Sequence, residues 1–115
     1  MRIEASASGA ISTHVLDTSL GTPAAGVVVR LERSGAVVAI GTTDADGRVR
    51  EWSAAVPLAE GAYTLRFRVA EYFATSARES FYEEIAVDFV VRDSGAKYHV
   101  PLLLSPFGYA TYRGS

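Results

Sequence analysis

Short segments of alternating apolar and polar residues recur along this chain, and turn-forming residues separate them. In one segment Tyr63, Leu65 and Phe67 alternate with threonine and arginine. A period of two is that of a β-strand with one buried face, because successive side chains point to opposite sides of the sheet. The sequence therefore predicts a fold built from strands.

The same alternation predicts where the strands lie. Turn clusters end them, as at Gly21-Thr22-Pro23 and at the Asp-Ala-Asp-Gly sequence of residues 44–47. Seven or eight short strands with turns about every 8–12 residues favour an antiparallel β-sandwich. The predicted strands are residues 11–17, 26–33, 37–43, 49–52, 63–69, 85–91, 97–104 and 107–113.

One stretch, residues 70–79, favours a helix, with Tyr72, Phe73 and Ala77 on one apolar face. The predicted fold class is therefore all-β: a two-sheet antiparallel β-sandwich of about eight strands with one short helix. Residues 1–10 are small and polar, which predicts a flexible N-terminal arm ahead of a single domain over residues 11–115.

The composition excludes several classes of protein. The chain has 115 residues and no cysteine, so a disulfide framework, a cysteine-ligated metal and thiol chemistry are excluded. Its net charge of −2 gives no reason to expect nucleic acid or an anionic membrane as a partner. His14 and His99 are its only histidines, so acid–base chemistry near neutral pH has few candidate residues.

Hydropathy bears on where the protein acts. No apolar run approaches the roughly 18 residues that a membrane-spanning helix needs. The first residues lack the apolar stretch of a signal peptide. We therefore expect no membrane partner and a cytoplasmic location.

Several chemical motifs are incomplete or missing. Residues 44–47 lack the third acidic ligand and the distal glutamate of a calcium loop. The sequence has neither the Gly-x-Ser-x-Gly turn of a serine hydrolase nor a glycine-rich phosphate loop. A zinc site made of the two histidines and a carboxylate would lack the usual ligand spacing, so no metal site is expected.

Three blocks of sequence carry a family resemblance. They are Ile-Ser-Thr-His-Val-Leu-Asp-Thr at residues 11–18, Thr-Asp-Ala-Asp-Gly-Arg at residues 43–48, and residues 98–115, which begin Tyr-His-Val-Pro-Leu and end Tyr-Arg-Gly-Ser. In this order they closely resemble the signatures of the transthyretin-related 5-hydroxyisourate hydrolases. The resemblance spans residues 11–115.

The resemblance implies a fold and an activity. Members of the family are eight-stranded transthyretin-like sandwiches that assemble into homotetramers as dimers of dimers. They hydrolyse 5-hydroxyisourate, the product of urate oxidation, to 2-oxo-4-hydroxy-4-carboxy-5-ureidoimidazoline. They open a ring amide without a metal or cofactor. The expected partners of this chain are thus that small molecule and further copies of itself.

The resemblance also assigns site residues. The family's catalytic positions fall on His14, Arg48, His99 and Tyr112. Its substrate-binding positions fall on His14, Arg48 and the final tetrapeptide, that is, Tyr112, Arg113, Gly114 and Ser115.

Strand parity is compatible with that assignment. His14 shares a face with Ser12 and Leu16, and His99 shares a face with Pro101 and Leu103. The resemblance implies that these faces, together with the face of Tyr112 on the last strand, form one surface on which the histidines converge. A flat sheet face does not exclude water, so a second dimer is expected to supply the opposite wall, with the sites at the dimer–dimer interface.

The expected mechanism uses histidine chemistry. One histidine activates the water and the other helps to protonate the leaving nitrogen, and the sequence leaves open which does which. Arg48 suits the developing oxyanion, and Tyr112 offers a wall and a hydroxyl. By parity, Arg113 faces the other way.

Other interpretations stay open on the residues alone. Taken singly, each histidine is an ordinary strand residue, and Arg48 is a solvated turn residue. A thyroid-hormone-type binding protein shares the expected fold, although basic groups in the channel disfavour an apolar hormone. A structural sandwich module is a third alternative, because fold alone does not decide function.

Overall fold

The computed structural model describes residues 11–115, so the predicted arm at residues 1–10 lies outside the described residues. The described part is built almost entirely from strands, with one short helix between the fifth and sixth. Its elements are β1 (Ile11–Asp17), β2 (Thr22–Pro23), β3 (Val28–Arg33), β4 (Ala36–Thr42), β5 (Gly61–Phe67), α1 (Val69–Ala74), β6 (Ile85–Val91), β7 (Tyr98–Ser105) and β8 (Gly108–Thr111).

The strands form two four-stranded sheets, ordered β2-β1-β7-β8 and β4-β3-β5-β6. The predicted all-β sandwich is confirmed. One pair departs from the antiparallel prediction, because β1 and β7 run parallel. This pair joins segments more than 80 residues apart, so no hairpin turn dictates its direction.

The core lies between the two sheets and takes one face of each strand. Along β1, Ile11, Thr13, Val15 and Asp17 are buried and the residues between them are more exposed. On β5, Leu65 and Phe67 are likewise buried, and the residue between them is more exposed. The alternation in the sequence thus separates a core face from an outer face on each sheet.

Residues 49–52, predicted as a strand, are not one. Their chain leaves the second sheet so that Arg48 can pair with β1 of the first sheet. Val49 and Trp52 still pack against β4, close to Gly41, where a side chain would collide with the Val49 methyl group. The alternation at residues 49–52 therefore reflects which side chains are buried, although this segment does not pair with a neighbouring strand. Conversely, the predicted turn at residues 21–23 includes the two-residue strand β2.

The helix is shorter than the predicted residues 70–79. Ala77 adopts a left-handed conformation with φ of 57°. The Arg78 N–H donates to the Phe73 carbonyl at 3.0 Å, and the Ala77 N–H donates to the Ala74 carbonyl at 3.1 Å. This pair of bonds is the usual C-terminal helix stop. It puts Ala77 outside the helix, so that residue does not extend the predicted apolar face. Within residues 11–115, no helix is long and apolar enough to cross a membrane.

Candidate active site

The two histidines lie on neighbouring strands of the first sheet. In the parallel register, Ser12 is opposite His99 and His14 is opposite Pro101. Both histidines are half-buried, whereas their neighbours Thr13 and Val100 point into the core. The structure thus places both imidazoles on the outer face of this sheet, as strand parity predicted.

Arg48 reaches the same face through a turn that follows β4. The backbone of Arg48 pairs with that of His14, and the Val15 N–H donates to the Gly47 carbonyl at 2.8 Å. Gly47 has a φ of 79°, and a side chain there would collide with the Val15 carbonyl. Glycine is therefore required at this close approach.

Asp44 fixes the shape of that turn. Its carboxylate accepts hydrogen bonds from the backbone N–H groups of Asp46 at 2.9 Å and Arg48 at 3.0 Å, and from Arg50 Nε at 2.8 Å. The bond from the Arg48 N–H, followed by that from Arg50, holds the pKa of Asp44 below its usual value. The Asp-Ala-Asp-Gly sequence thus forms a turn that delivers Arg48 to β1.

The final tetrapeptide reaches the site through its backbone. The Gly114 N–H donates to the His99 carbonyl at 2.8 Å and extends the pairing of β7 with β8. Tyr112 follows β8 and has 58% of its surface exposed. Its parity with Ala110, which is opposite Leu103, places it on the face that carries the histidines.

Arg113 is not brought to the histidines. The Arg113 guanidinium lies 4.4 Å from the centroid of the Tyr98 ring, and its Nη2 donates to the Lys97 carbonyl at 3.0 Å. Tyr98 belongs to the buried face of β7. Arg113 therefore takes the opposite side from His99, in agreement with parity, and Ser115 is exposed beyond Gly114.

The surroundings of His99 lower its pKa. Burial of the imidazole is the largest cause, and the nearby basic side chains of Arg48 and His14 lower the pKa further. All three effects disfavour the imidazolium ion. His99 is therefore neutral at neutral pH and able to accept a proton. The backbone pairing of Arg48 with His14 and the pairing of β1 with β7 bring the three basic residues to one part of the sheet face.

Ser12 is a residue of this face to which the sequence assigned no role. Its Oγ lies 2.8 Å from Nδ1 of His99. Parity put Ser12 on the histidine face, but the contact depends on the parallel register of two strands distant in sequence. The sequence does not reveal that register, so the contact could not be predicted from it.

A cleft of about 240 Å³ lies elsewhere, at the open edge between β6 and β8. Its lining includes Phe89, Tyr98 and Val100, and also Tyr112 and Arg113 of the final tetrapeptide. Tyr98 and Val100 belong to the core side of β7, so the cleft and the histidine cluster lie on opposite sides of that strand. Within residues 11–115, no three His, Asp or Glu side chains are grouped to hold a metal ion.

Known proteins share the sequence and fold of this chain. The model of the HIUase/Transthyretin family matches residues 11–114. The chain belongs to this family. A 5-hydroxyisourate hydrolase from Salmonella typhi is 40% identical over 115 residues, covering 96% of this chain and 85% of the relative.

Solved structures of the HIUase/Transthyretin family agree. The 5-hydroxyisourate hydrolase of Klebsiella pneumoniae superposes with a TM-score of 0.83 at 44% identity, covering 91% of this chain and 98% of that one. Sea bream transthyretin in complex with thyroxine also gives a TM-score of 0.83, at 29% identity, covering 90% of this chain and 93% of that one. The fold is thus shared by hydrolases and by a thyroxine-binding protein, while sequence identity is higher with the hydrolase.

Proposed function

We propose that this protein hydrolyses 5-hydroxyisourate to 2-oxo-4-hydroxy-4-carboxy-5-ureidoimidazoline, a step of urate degradation. The observation that carries the proposal is the cluster of His14, Arg48 and His99, which three separate segments bring to one sheet face. The relatives named as 5-hydroxyisourate hydrolases identify the substrate.

The reaction adds water across a ring amide. The water oxygen bonds to the ring carbonyl carbon, and the carbonyl oxygen becomes an oxyanion. The carbon–nitrogen bond then breaks, the nitrogen takes up a proton, and a carboxylic acid is left that ionises. No electrons are gained or lost, so the step requires proton transfer and charge stabilisation but no redox partner.

We assign the proton acceptor to His99, because its lowered pKa keeps it neutral at neutral pH. His14 lies beside it and helps to protonate the leaving nitrogen. Such assistance contributes a factor of about 10²–10⁴ in rate. Arg48 is permanently charged and stabilises the oxyanion, while Tyr112 forms a wall of the substrate site.

Assembly completes this proposed site. On a single chain the histidine face is open, with Tyr112 58% exposed. We propose a homotetramer, a dimer of dimers, in which the same face of a second dimer supplies the opposite wall. Exposed aromatic residues support association: Phe81 is 71% and Phe107 is 65% exposed. A cytoplasmic location stays a prediction.

The test generates 5-hydroxyisourate in the cuvette from urate and urate oxidase and follows its decay by absorbance. The purified protein is expected to accelerate the decay. His99→Asn and Arg48→Gln are each expected to lower kcat about 100-fold or more, whereas Glu79→Gln, an exposed change outside the site, leaves it unchanged. Decay at the spontaneous rate would overturn the proposal, and tight thyroxine binding in a titration would then favour a binding protein.

A further inference from the structure

We propose that Ser12 is a positioning residue that accepts a hydrogen bond from Nδ1–H of His99 and, together with Gly114, holds the ring so that Nε2 is free to accept the proton from water. The catalytic role of this hydrogen bond rests on the proposed function. The geometry of the imidazole is independent of that function.

The first contact is the one from β1. Ser12 Oγ lies 2.8 Å from Nδ1 of His99, within the range of a good hydrogen bond. The two residues are directly opposite in the parallel register, so both backbones fix the distance between the side chains. A serine two residues before His14 therefore contacts the other histidine of the cluster.

The second contact comes from the other side of β7. A methyl group built on Gly114 would lie 2.5 Å from Cδ2 and 3.3 Å from Cγ of His99, and 3.3 Å from Cγ of Pro101. The Gly114 backbone therefore lies against the Cδ2 edge of the imidazole. The presence of glycine in the Tyr-Arg-Gly-Ser sequence then has a steric reason: any side chain would displace the ring.

The two contacts define which nitrogen is free for chemistry. Ser12 is at Nδ1 and Gly114 is at Cδ2, so the remaining edge of the ring is Cε1 and Nε2. A neutral imidazole carries one proton, and a serine hydroxyl can donate or accept. If Nδ1 holds the proton and donates a hydrogen bond to Ser12, Nε2 has a free lone pair and acts as the base. The opposite tautomer blocks that role.

The basic neighbours of His99 oppose the imidazolium that the reaction forms, and Ser12 offsets part of that opposition. Arg48 and His14 are the basic groups whose electrostatic effect lowers the pKa of His99. When Nε2 takes a proton from water, His99 becomes an imidazolium beside these two groups. The hydrogen bond from Nδ1–H to Ser12 is then stronger, because its donor is charged. Ser12 thus favours the charged state that the reaction produces, without touching the substrate.

The first experiment observes the ring itself. Because the chain has only two histidines, a ¹⁵N correlation spectrum of the imidazoles contains two sets of signals, and His14→Asn assigns them. Above the pKa of His99, the wild type is expected to show the Nδ1–H tautomer. Ser12→Ala is expected to shift the population to Nε2–H, and Ser12→Thr to retain Nδ1–H. A wild-type ring that is mainly Nε2–H would overturn the proposal.

The second experiment measures kinetics on the same variants. Ser12→Ala is expected to lower kcat about tenfold, the value of one well-placed hydrogen bond, with KM changed less than about twofold. Ser12→Thr keeps the hydroxyl and is expected to stay within about twofold of the wild type. Ser53→Ala is the matched control: an exposed serine whose hydroxyl accepts one bond, from the Ile40 N–H. Equal losses in the alanine and threonine variants would contradict the positioning role.

The third experiment tests the steric half of the proposal. Gly114→Ala is expected to move the ring, shift the Nδ1 signal of His99 and lower kcat by about tenfold or more. Gly95→Ala is the control, because a methyl group there meets only Asp93 Oδ1, at 3.5 Å. An unchanged His99 spectrum in Gly114→Ala would overturn this half. If the wild type shows the expected tautomer but no hydrolysis, the proposed function fails while the positioning of His99 stands.

Discussion

At the scale of single residues, the state of His99 depends on its neighbours. Burial lowers its pKa most, and Arg48 and His14 lower it further. Replacing Arg48 by glutamine removes a permanent positive charge while the ring stays buried. We therefore expect Arg48→Gln to raise the pKa of His99 without restoring it fully to the ordinary value of about 6.5.

A titration of the histidine ¹⁵N signals measures that shift. The wild-type midpoint for His99 is expected to lie below about 6.5 and the Arg48→Gln midpoint above the wild-type one. Arg50→Gln serves as the control, because Arg50 is engaged with Asp44 and Asp46 and is not among the causes that lower the pKa of His99. A higher midpoint in the Arg50 variant alone would show that the local charge has been assigned to the wrong arginine.

The same residues show how far sequence reasoning reaches. Parity alone put His14 on the outer face of its strand, since a period of two fixes which side a residue takes. The contact between Ser12 and His99 was not predictable. It depends on which strands become neighbours, and residues 87 apart in sequence give no local sign of pairing.

At the scale of elements, Asp17 ties the end of β1 to the segment around α1. It is fully buried and accepts hydrogen bonds from Ser19 Oγ at 2.6 Å, Tyr72 Oη at 2.7 Å and Arg78 Nη2 at 2.9 Å. Burial raises the pKa of this carboxyl, but the bonds from Arg78, Ser19 and Tyr72 outweigh it and bring the pKa to about 2. The strand that carries His14 is thereby anchored at its far end.

This anchor predicts an acid-sensitive stability. The folded pKa of Asp17, about 2, lies below the unfolded value of 3.8, so its stabilisation is complete above about pH 4 and is lost as pH falls through 2. The wild type should lose about 2 kcal/mol of unfolding free energy across that range. In urea melts, Asp17→Asn should be less stable at pH 7 and lack this part of the acid dependence, whereas Glu79→Gln should keep it. An acid dependence unchanged in Asp17→Asn would refute the anchor.

Element boundaries were predictable where burial and ladder pairing coincide. Ile85–Val91 has the predicted limits because every second residue faces the core and its full length pairs with β5. Residues 49–52 alternate as well, but their chain crosses between the sheets and does not pair. Alternation of apolar and polar residues indicates which side chains are buried. A segment forms a strand only where it also pairs with a neighbouring strand.

At the scale of the whole molecule, the exposed aromatic residues predict self-association. The aromatic patch consists of Phe81, Tyr82 and Tyr109. Within it, the rings of Phe81 and Tyr82 are 5.0 Å apart and those of Tyr82 and Tyr109 are 5.2 Å apart. Phe107 follows Pro106, whose carbonyl accepts a hydrogen bond from the Phe81 N–H at 2.8 Å. Apolar surface of this kind favours contact with another protein surface. Phe107→Ser removes the largest side chain at the β7–β8 turn and should weaken the proposed tetramer.

Sedimentation equilibrium measures the outcome. The wild type is expected at about four times the chain mass of 12.3 kDa, and Phe107→Ser at a smaller mass. Because the second dimer closes the site, hydrolase activity per chain should fall in parallel with the mass. Val37→Ser, which replaces a side chain 50% exposed on β4 of the other sheet, should leave both unchanged. A fully active wild type with the mass of one chain would mean that an open sheet face is sufficient for hydrolysis, and the opposing wall would then have no role.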